Sequence, residues 1–186
     1  MPSEPQLPAE PLCLVFGDED FLVRDRAKQI YEGWCAAAGG MDHEVVDGTV
    51  RNADEALQAL AKLNEALQTL PFFGGNKVLW LRGANFLGDD RTASSAAVTD
   101  RLTELAKSWE SFDWQGVQLL ISAGKVDKRK SFLKTVKKFA ALEDKTVSEK
   151  ERGGRAAMVV RQRLDELGKK ISQHVADELI QLAGAN

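Results

Sequence analysis

Short runs of consecutive apolar residues alternate along the chain with longer segments in which apolar residues recur every three or four positions. Three such runs lie at Leu12 to Phe16, Val78 to Leu81 and Val117 to Ser122, and only the third contains polar residues, Gln118 and the final serine. A run of this kind predicts a strand that is covered on both faces, as in a parallel sheet. Two shorter strands are predicted at His43 to Asp47 and Ala141 to Glu143. We therefore expect five strands.

The segments between the predicted strands have the periodicity of amphipathic helices. The first segment carries on one face Phe21, Ala27, Ile30, Tyr31, Trp34 and Cys35. The second opens with Asn52 and, three residues later, Glu55, which is the pattern of a capping box. A third helix is expected from about Ser94 to Phe112, and a fourth after Lys130. This alternation of strands and helices predicts a three-layer αβα fold with a parallel sheet and right-handed crossovers.

The pattern changes after residue 147, where we predict a domain boundary. Residues 12–147 are expected to form the α/β domain, and residues 1–11, which contain neither a basic nor an apolar segment, a disordered leader. Residues 148–186 show two helical patterns and no strand. Two helices are too few to bury a core of their own. This second unit is therefore expected to continue beyond Asn186.

The composition is that of an ordinary globular protein, with 44% hydrophobic and 28% charged residues. A net charge of −3 gives no overall attraction to nucleic acid, so contact with DNA would need a local patch or a partner. Cys13 and Cys35 suit buried thiols in a reducing cytosol rather than a disulfide. The only histidines, His43 and His174, are isolated, so no zinc site is expected. Because there is no signal peptide and no apolar run near 18 residues, we expect a cytoplasmic protein without membrane contact.

The turn after the first strand is where an αβα fold can hold nucleotide phosphates. A phosphate cradle has the pattern GxxxxGK[ST], whose glycines let backbone N–H groups approach the phosphates. That pattern is absent, and Asp18, Glu19 and Asp20 place carboxylates where phosphates would lie. Nucleotide hydrolysis is therefore not expected. The simplest role for Asp18 and Asp20 is to cap the following helix and to interact with the positive end of its dipole.

An enzyme-like alternative uses the same carboxylates to bind Mg²⁺. In a phosphorylatable receiver domain, or an NTPase-like domain, Asp18 and Asp20 would hold the metal ion and Lys125 would contact the phosphate. This hypothesis requires an acceptor aspartate at the end of the central strand. The segment Val78 to Gly83 has none.

A dense basic stretch follows the strand at Val117 to Ser122. It comprises Lys125, Lys128, Arg129, Lys130, Lys134, Lys137 and Lys138. The stretch is either a solvated helix face or a surface that lines phosphates. Aromatic residues for base stacking are lacking, since Phe132 and Phe139 have the spacing of core residues. The candidates for a basic contact patch are Lys125, Lys128, Arg129 and Lys130.

The connection between the second helix and the third strand is unusually apolar. Leu70, Pro71, Phe72 and Phe73 are followed by two glycines, and the proline ends the helix. Three large apolar side chains at a loop tip form a patch of the kind that binds a partner. The alternative is that the aromatic rings fold back beneath the sheet.

Several segments, taken in order, resemble one family. They are Leu14 to Leu22, Leu70 to Phe73, Lys77 to Leu87, and Val117 to Ser122 together with Lys125 to Lys130. Their order and spacing are similar to those of the delta subunit of bacterial DNA polymerase III, a clamp-loader subunit. The resemblance runs from about residue 12 to the end of the chain.

The resemblance implies an AAA+-like domain that has lost its ATP site and needs no cofactor. A helical lid domain would follow, which this chain only begins, and then a collar domain, which it lacks. The resemblance also implies that Leu70, Pro71, Phe72 and Phe73 insert into a pocket of the β sliding clamp and help to open the ring, with no catalytic residue or metal site in the subunit itself. The gamma or tau and delta-prime subunits would be further partners, and DNA would be met through the assembled complex.

Overall fold

A computed structural model describes residues 6–39, 42–69 and 75–147, together with six single positions between 164 and 178. Within these ranges the chain forms five strands, four α-helices and one short 3₁₀-helix. In chain order they are β1 (Leu12–Phe16), α1 (Asp20–Ala38), β2 (Glu44–Asp47), α2 (Ala53–Gln68), β3 (Lys77–Arg82), the 3₁₀-helix (Asn85–Leu87), α3 (Ala96–Glu110), β4 (Val117–Ala123), α4 (Ser131–Val136) and β5 (Ala141–Asp144). All five predicted strands are present, each within one residue of its predicted bounds.

The five strands form one parallel sheet in the order β2-β3-β4-β1-β5. Leu119 of the central strand β4 is in register with Leu12 of β1 on one side and Leu79 of β3 on the other. The carboxyl ends of the strands lie at one edge of the sheet, which we call the carboxyl edge, and their first residues lie at the amino edge. The predicted parallel α/β sheet is confirmed.

Helices cover both faces of the sheet. Side chains alternate between the two faces along each strand, so each strand contributes residues to two cores. Leu12, Leu14 and Phe16 of β1 belong to the core beneath α2, α3 and α4. Cys13 and Val15 of the same strand belong to a smaller core beneath α1. A strand buried on both faces must be apolar at every position, which explains the unbroken run in the sequence. The three layers are thus as predicted.

Helix α2 begins with the predicted capping box, in a shifted form. The side chain of Asn52 accepts a hydrogen bond from the backbone N–H of Glu55 at 2.9 Å. The carboxylate of Glu55 accepts a bond in return from the backbone N–H of Arg51, also at 2.9 Å, rather than from that of Asn52. Glu55 also pairs with the guanidinium of Arg51. These bonds satisfy donors at the start of the helix and fix where it begins.

Helix α1 departs from the prediction in three respects. Its N-cap is Glu19, which makes no side-chain capping bond, instead of the predicted Asp18 or Asp20, and Asp20 is its first residue. Phe21 was predicted on the buried face but is 45% exposed, whereas Val23 is buried. At about 100° per residue, two positions separate Phe21 from Val23 by roughly 200°, so the two side chains lie on opposite faces of the helix. Of the two free cysteines, both predicted to be buried, Cys35 on this helix is only half-buried.

Residues 6–11, which were predicted to belong to a disordered leader, make contacts with the α/β domain. The backbone carbonyl of Gln6 accepts a bond from Arg26, and Leu7 packs against the core beneath α1. The carbonyl of Pro11 accepts a bond from the N–H of Leu119 at 2.8 Å, which extends the pairing of β1 with β4.

The chain divides into two compact units, Met1–Thr146 and Val147–Asn186. Apart from six single positions, the helices predicted in 148–186 lie outside the described residues.

Ser122 connects β3 to β4 near the carboxyl edge. Its hydroxyl oxygen accepts hydrogen bonds from the indole N–H of Trp80 at 3.0 Å and from the backbone N–H of Gly83 at 3.1 Å. Its carbonyl accepts a further bond from Ala84 at 2.8 Å. A buried indole without such an acceptor would lose its hydrogen bond to water with nothing in return. Ser122 therefore fixes the direction in which the chain leaves β3.

Glu143 of β5 links the last strand to α1. Its carboxylate accepts bonds from the guanidinium of Arg26, with distances of 2.7 and 2.8 Å, and pairs with Lys145 at 2.9 Å. Burial raises the pKa of this carboxyl, but the hydrogen bonds from Arg26 and Lys145 outweigh burial and hold its pKa below the usual 4.5. The pairing thus favours the ionised form of Glu143 in the folded protein.

We expect Glu143→Gln to lower the free energy of unfolding by about 1 kcal/mol at pH 7, since a hydrogen bond with a charged partner is weakened. The pKa of Glu143 is lower in the folded than in the unfolded chain. The stability that Glu143 contributes is therefore fully present above its pKa in the unfolded chain. It is lost as the pH falls through its pKa in the folded protein. Denaturant unfolding at pH 7 and at pH 3 should show the two proteins converging at acid pH.

Glu104→Gln is the matched control, because Glu104 pairs with Arg101 on the surface of α3. An exposed pair of this type contributes about 0.5 kcal/mol or less. A loss of stability in Glu143→Gln that is the same at both pH values would show that the ion pair is not its source.

Candidate functional site

The turn after β1 is closed to phosphate by the chain itself. Only Gly17, Asp18 and Glu19 separate β1 from α1. The N–H of Gly17 is already bonded to the carbonyl of Gly124 at 3.2 Å. A side chain at position 17 would bring its Cβ within 2.4 Å of the carbonyl carbon of Lys145, so the chain leaving β5 passes directly over this glycine. A phosphate cradle needs a longer loop whose N–H groups face the ligand, and this turn offers neither.

A cavity of about 590 Å³ opens beside this turn at the carboxyl edge. Its charged lining residues are Asp20, Arg24, Arg82, Asp89, Asp90 and Lys125. Lys125 pairs with Asp89 at 3.0 Å, and Arg82 lies 3.8 Å from Asp47. The hydrogen bond from Lys125 lowers the pKa of Asp89. Three acidic and three basic side chains thus line the cavity, so its lining carries no strong preference for a ligand of either charge.

The sheet order excludes the receiver-domain alternative. In receiver domains the first strand lies between the second and third, in the order 2-1-3-4-5. Here β1 lies between β4 and β5, and β3 ends at Arg82 without an acceptor aspartate. Asp20 and Lys125 both line the cavity, but the ammonium of Lys125 is bonded to Asp89. Among the described residues, no three His, Cys, Asp or Glu side chains are grouped so as to hold a metal ion.

The candidate basic patch lies on the loop between β4 and α4, and acceptors from the same domain contact each of its four cations. Lys125 bonds to Asp89, as above, and Lys128 to Asp144 at 2.6 Å. The guanidinium of Arg129 bonds to both carboxylate oxygens of Asp127, at 2.9 and 3.0 Å, and the ammonium of Lys130 to the carbonyl of Ala93.

Three of the four cations are therefore compensated by carboxylates, and Lys130 by a neutral carbonyl only. The bonds from Arg129 lower the pKa of Asp127 to about 2, so this carboxylate stays ionised. Asp89 and Asp144 are distant from the basic stretch along the chain, and sequence analysis did not pair them with it. Contact of the patch with DNA stays a prediction, and phosphates would have to compete with these carboxylates.

Leu70, Pro71, Phe72 and Phe73, which we call the apolar tip, lie outside the described residues. The structure does describe both flanks. Thr69 follows the last residue of α2, and its N–H and hydroxyl both donate to the carbonyl of Glu65, at 3.1 and 2.9 Å. On the other flank, the N–H of Lys77 donates to the carbonyl of Gly116 at 2.7 Å. Both flanks thus lie at the amino edge, opposite the cavity.

One residue beside the tip was missed by sequence analysis. Lys77 was placed outside the apolar strand, yet it is the first residue of β3 and only 6% exposed. Its ammonium donates to the carbonyl of Ala66, in the last turn of α2, at 2.8 Å. The spacing in the sequence could have indicated its burial, since Lys77 is two positions before Leu79 and four before Leu81 and therefore shares their face of the strand. That spacing alone could not show that a helix end lies above the side chain.

Comparisons with known proteins agree with this architecture. The sequence model of the family described as DNA polymerase III, delta subunit, matches residues 14–146. No curated protein sequence matches the chain significantly. Among solved structures, the Bacillus subtilis DNA clamp loader delta protein is similar in fold, with a TM-score of 0.52 and 20% sequence identity over 91% of this chain and 47% of that one. The chain thus spans about half the length of that relative.

No helix in the described ranges is both long and apolar enough to cross a membrane. The family match covers most of the chain, including the turn after β1, the flanks of the apolar tip and the strand before the basic loop. The resemblance seen in the sequence is confirmed: the chain belongs to the delta subunit family of DNA polymerase III.

Proposed function

We propose that this chain binds the β sliding clamp through Leu70, Pro71, Phe72 and Phe73 and helps to open the ring, without hydrolysing ATP itself. Membership of the delta subunit family supports a role in the clamp loader. The observation that carries the proposal is that both flanks of the apolar tip, Thr69 and Lys77, are held by hydrogen bonds at the amino edge. The aromatic residues of the tip are of a type that is enriched at protein interfaces.

The number of apolar residues in the tip suits reversible binding of the β clamp, which must later be released. Transfer of one exposed Phe side chain out of water contributes about 1.5–3 kcal/mol. Phe72 and Phe73 with Leu70 therefore supply several kcal/mol of gross binding energy before the costs of association. A contribution of this size can be a large share of the energy of a small interface and still allow release.

The way α2 is held suits the transmission of force. Its buried face, which includes Ala56, Leu60, Leu63 and Leu67, packs into the main core of the sheet. A tip carried by such a helix moves with the whole domain, because closely packed cores deform little. We propose that movement of the domain is thereby passed to the clamp.

The carboxyl edge supports the proposal that the chain does not hydrolyse ATP. The short turn after β1 is crossed by the backbone of Lys145, and Asp18, Glu19 and Asp20 would repel phosphates. In this proposal the gamma or tau subunits supply the ATPase, and they and delta-prime assemble with regions beyond this chain. Residues 148–186 are proposed to begin the helical lid that leads to those regions.

Removal of the two aromatic rings should abolish most clamp binding. We expect Phe72→Ala with Phe73→Ala to weaken the affinity for the cognate β clamp by at least about 100-fold, because two buried rings contribute to the interface. Calorimetric titration measures the affinity. A fluorescence pair across the clamp's subunit interface should also lose the change in distance that the parent chain causes.

Phe21→Ala is the matched control, since it removes an exposed Phe from the start of α1, next to the turn at the carboxyl edge. This variant should bind the clamp as the parent does. Unchanged binding by the double variant would refute the role of the apolar tip.

The chain should not bind ATP with useful affinity. We expect no saturable binding of Mg·ATP up to about 1 mM, the upper end of ordinary substrate constants, and no release of phosphate. Calorimetry on the isolated chain measures ATP binding, and a phosphate assay measures hydrolysis. Tight binding or turnover would restore the NTPase-like alternative.

A secondary proposal concerns DNA, which the basic patch would contact within the assembled complex. Lys128→Glu with Arg129→Glu should then lower DNA affinity and reduce the slope of its salt dependence by roughly 0.9 for each phosphate that is no longer neutralised. Lys28→Glu with Lys62→Glu, on the exposed faces of α1 and α2, is the control for net charge. Equal effects of the two pairs would show that the basic patch makes no specific contact.

A further inference from the structure

Lys77 occupies a position that a lysine rarely takes. Its side chain is 8% exposed, and it lies in the same row of β3 as Leu79 and Leu81, which face the main core. Lysine is among the residues least often buried, and a buried cation must be paired or hydrogen-bonded. The acceptor is the carbonyl of Ala66 at 2.8 Å, with the carboxylate of Glu44 more distant at 4.0 Å.

The end of α2 lacks a cation of its own. Its last turn contains no basic residue, although Glu65 places a negative charge there. The last four carbonyls of a helix have no partner within the helix, and the helix dipole favours a positive charge at this end. The ammonium of Lys77 supplies both a donor and a positive charge from a different element.

The bonds at this helix end satisfy two neighbouring carbonyls. The carbonyl of Glu65 accepts from Thr69, and the carbonyl of Ala66 accepts from Lys77. The bond from Lys77 joins residues 66 and 77, which are the two sides of the connection that contains the apolar tip. It therefore fixes the spacing and direction of both flanks where they enter this connection.

We propose that Lys77 is a positioning residue for clamp binding, which sets the end of α2 and the start of β3 so that the base of the apolar tip is preorganised. This inference rests on the proposed function. A flank that is fixed before binding does not have to be ordered at the interface, so the affinity is higher. The role differs from that of the apolar tip, because Lys77 is buried and makes no contact with the clamp.

The test compares clamp affinity with overall stability. Lys77→Met keeps an apolar stem of similar length but removes the cation and its donors. We expect it to weaken binding of the cognate β clamp by about tenfold, because a hydrogen bond with a charged donor is lost at the base of the binding element. Hydrogen exchange at the amide of Thr69 should become faster, since the last turn of α2 is no longer held. Lys77→Arg, which keeps a cation with donors, should recover most of the missing affinity.

Val136→Ala is the matched control for general destabilisation. Val136 is fully buried in α4, and its truncation removes core contacts from an element that contains neither flank of the apolar tip. At a temperature well below both unfolding midpoints, this variant should bind the clamp as the parent does. Equal losses of affinity in Val136→Ala and Lys77→Met would overturn the positioning role.

The double variant Phe72→Ala with Phe73→Ala separates the two proposals. If that variant loses the clamp while Lys77→Met binds as the parent does, the inference about Lys77 fails and the proposed function stands. If the double variant also binds normally, the proposed function itself fails.

Discussion

The burial of β1 between β4 and β5 is the constraint on which the rest of the structure depends. Every residue of this strand is buried, with one face beneath α1 and the other beneath α2, α3 and α4. The strand must therefore be apolar throughout, and the chain must leave it at the carboxyl edge. There the exit from β5 crosses Gly17 so closely that no side chain fits. The fold thus closes the turn that other αβα proteins use for phosphate.

The two edges of the sheet have different chemistry as a result. At the carboxyl edge the charges are paired within the domain, as Lys125 is with Asp89 and Lys128 with Asp144. At the amino edge the chain leaves a well-packed helix, passes through the apolar tip and enters the sheet through a buried lysine. Both flanks of this connection are held within the domain by hydrogen bonds.

Much of the fold could be predicted from the sequence, because its signals are local. An unbroken apolar run indicates a strand covered on both faces, and Asn52 with Glu55 indicates a helix start. The prediction for Phe21 was wrong because α1 has three apolar residues in a row near its start, and periodicity does not show which of them is buried. Only the packing partners of Val23 decide which of them faces the sheet. The positions of residues 6–11 were also missed, since their contacts are with α1 and β4.

The sequence by itself determined the family, the order of strands and helices and the absence of a phosphate pattern, because each depends on residues that are close along the chain. The tertiary structure alone decided which strands are neighbours, which cations of the basic patch are compensated and what Lys77 binds. The reason is distance along the chain: Lys125 and Asp89 are 36 positions apart, and Arg26 and Glu143 are 117 apart. Periodicity contains no information about such pairs, and they form only when helices and strands that are distant along the chain pack together.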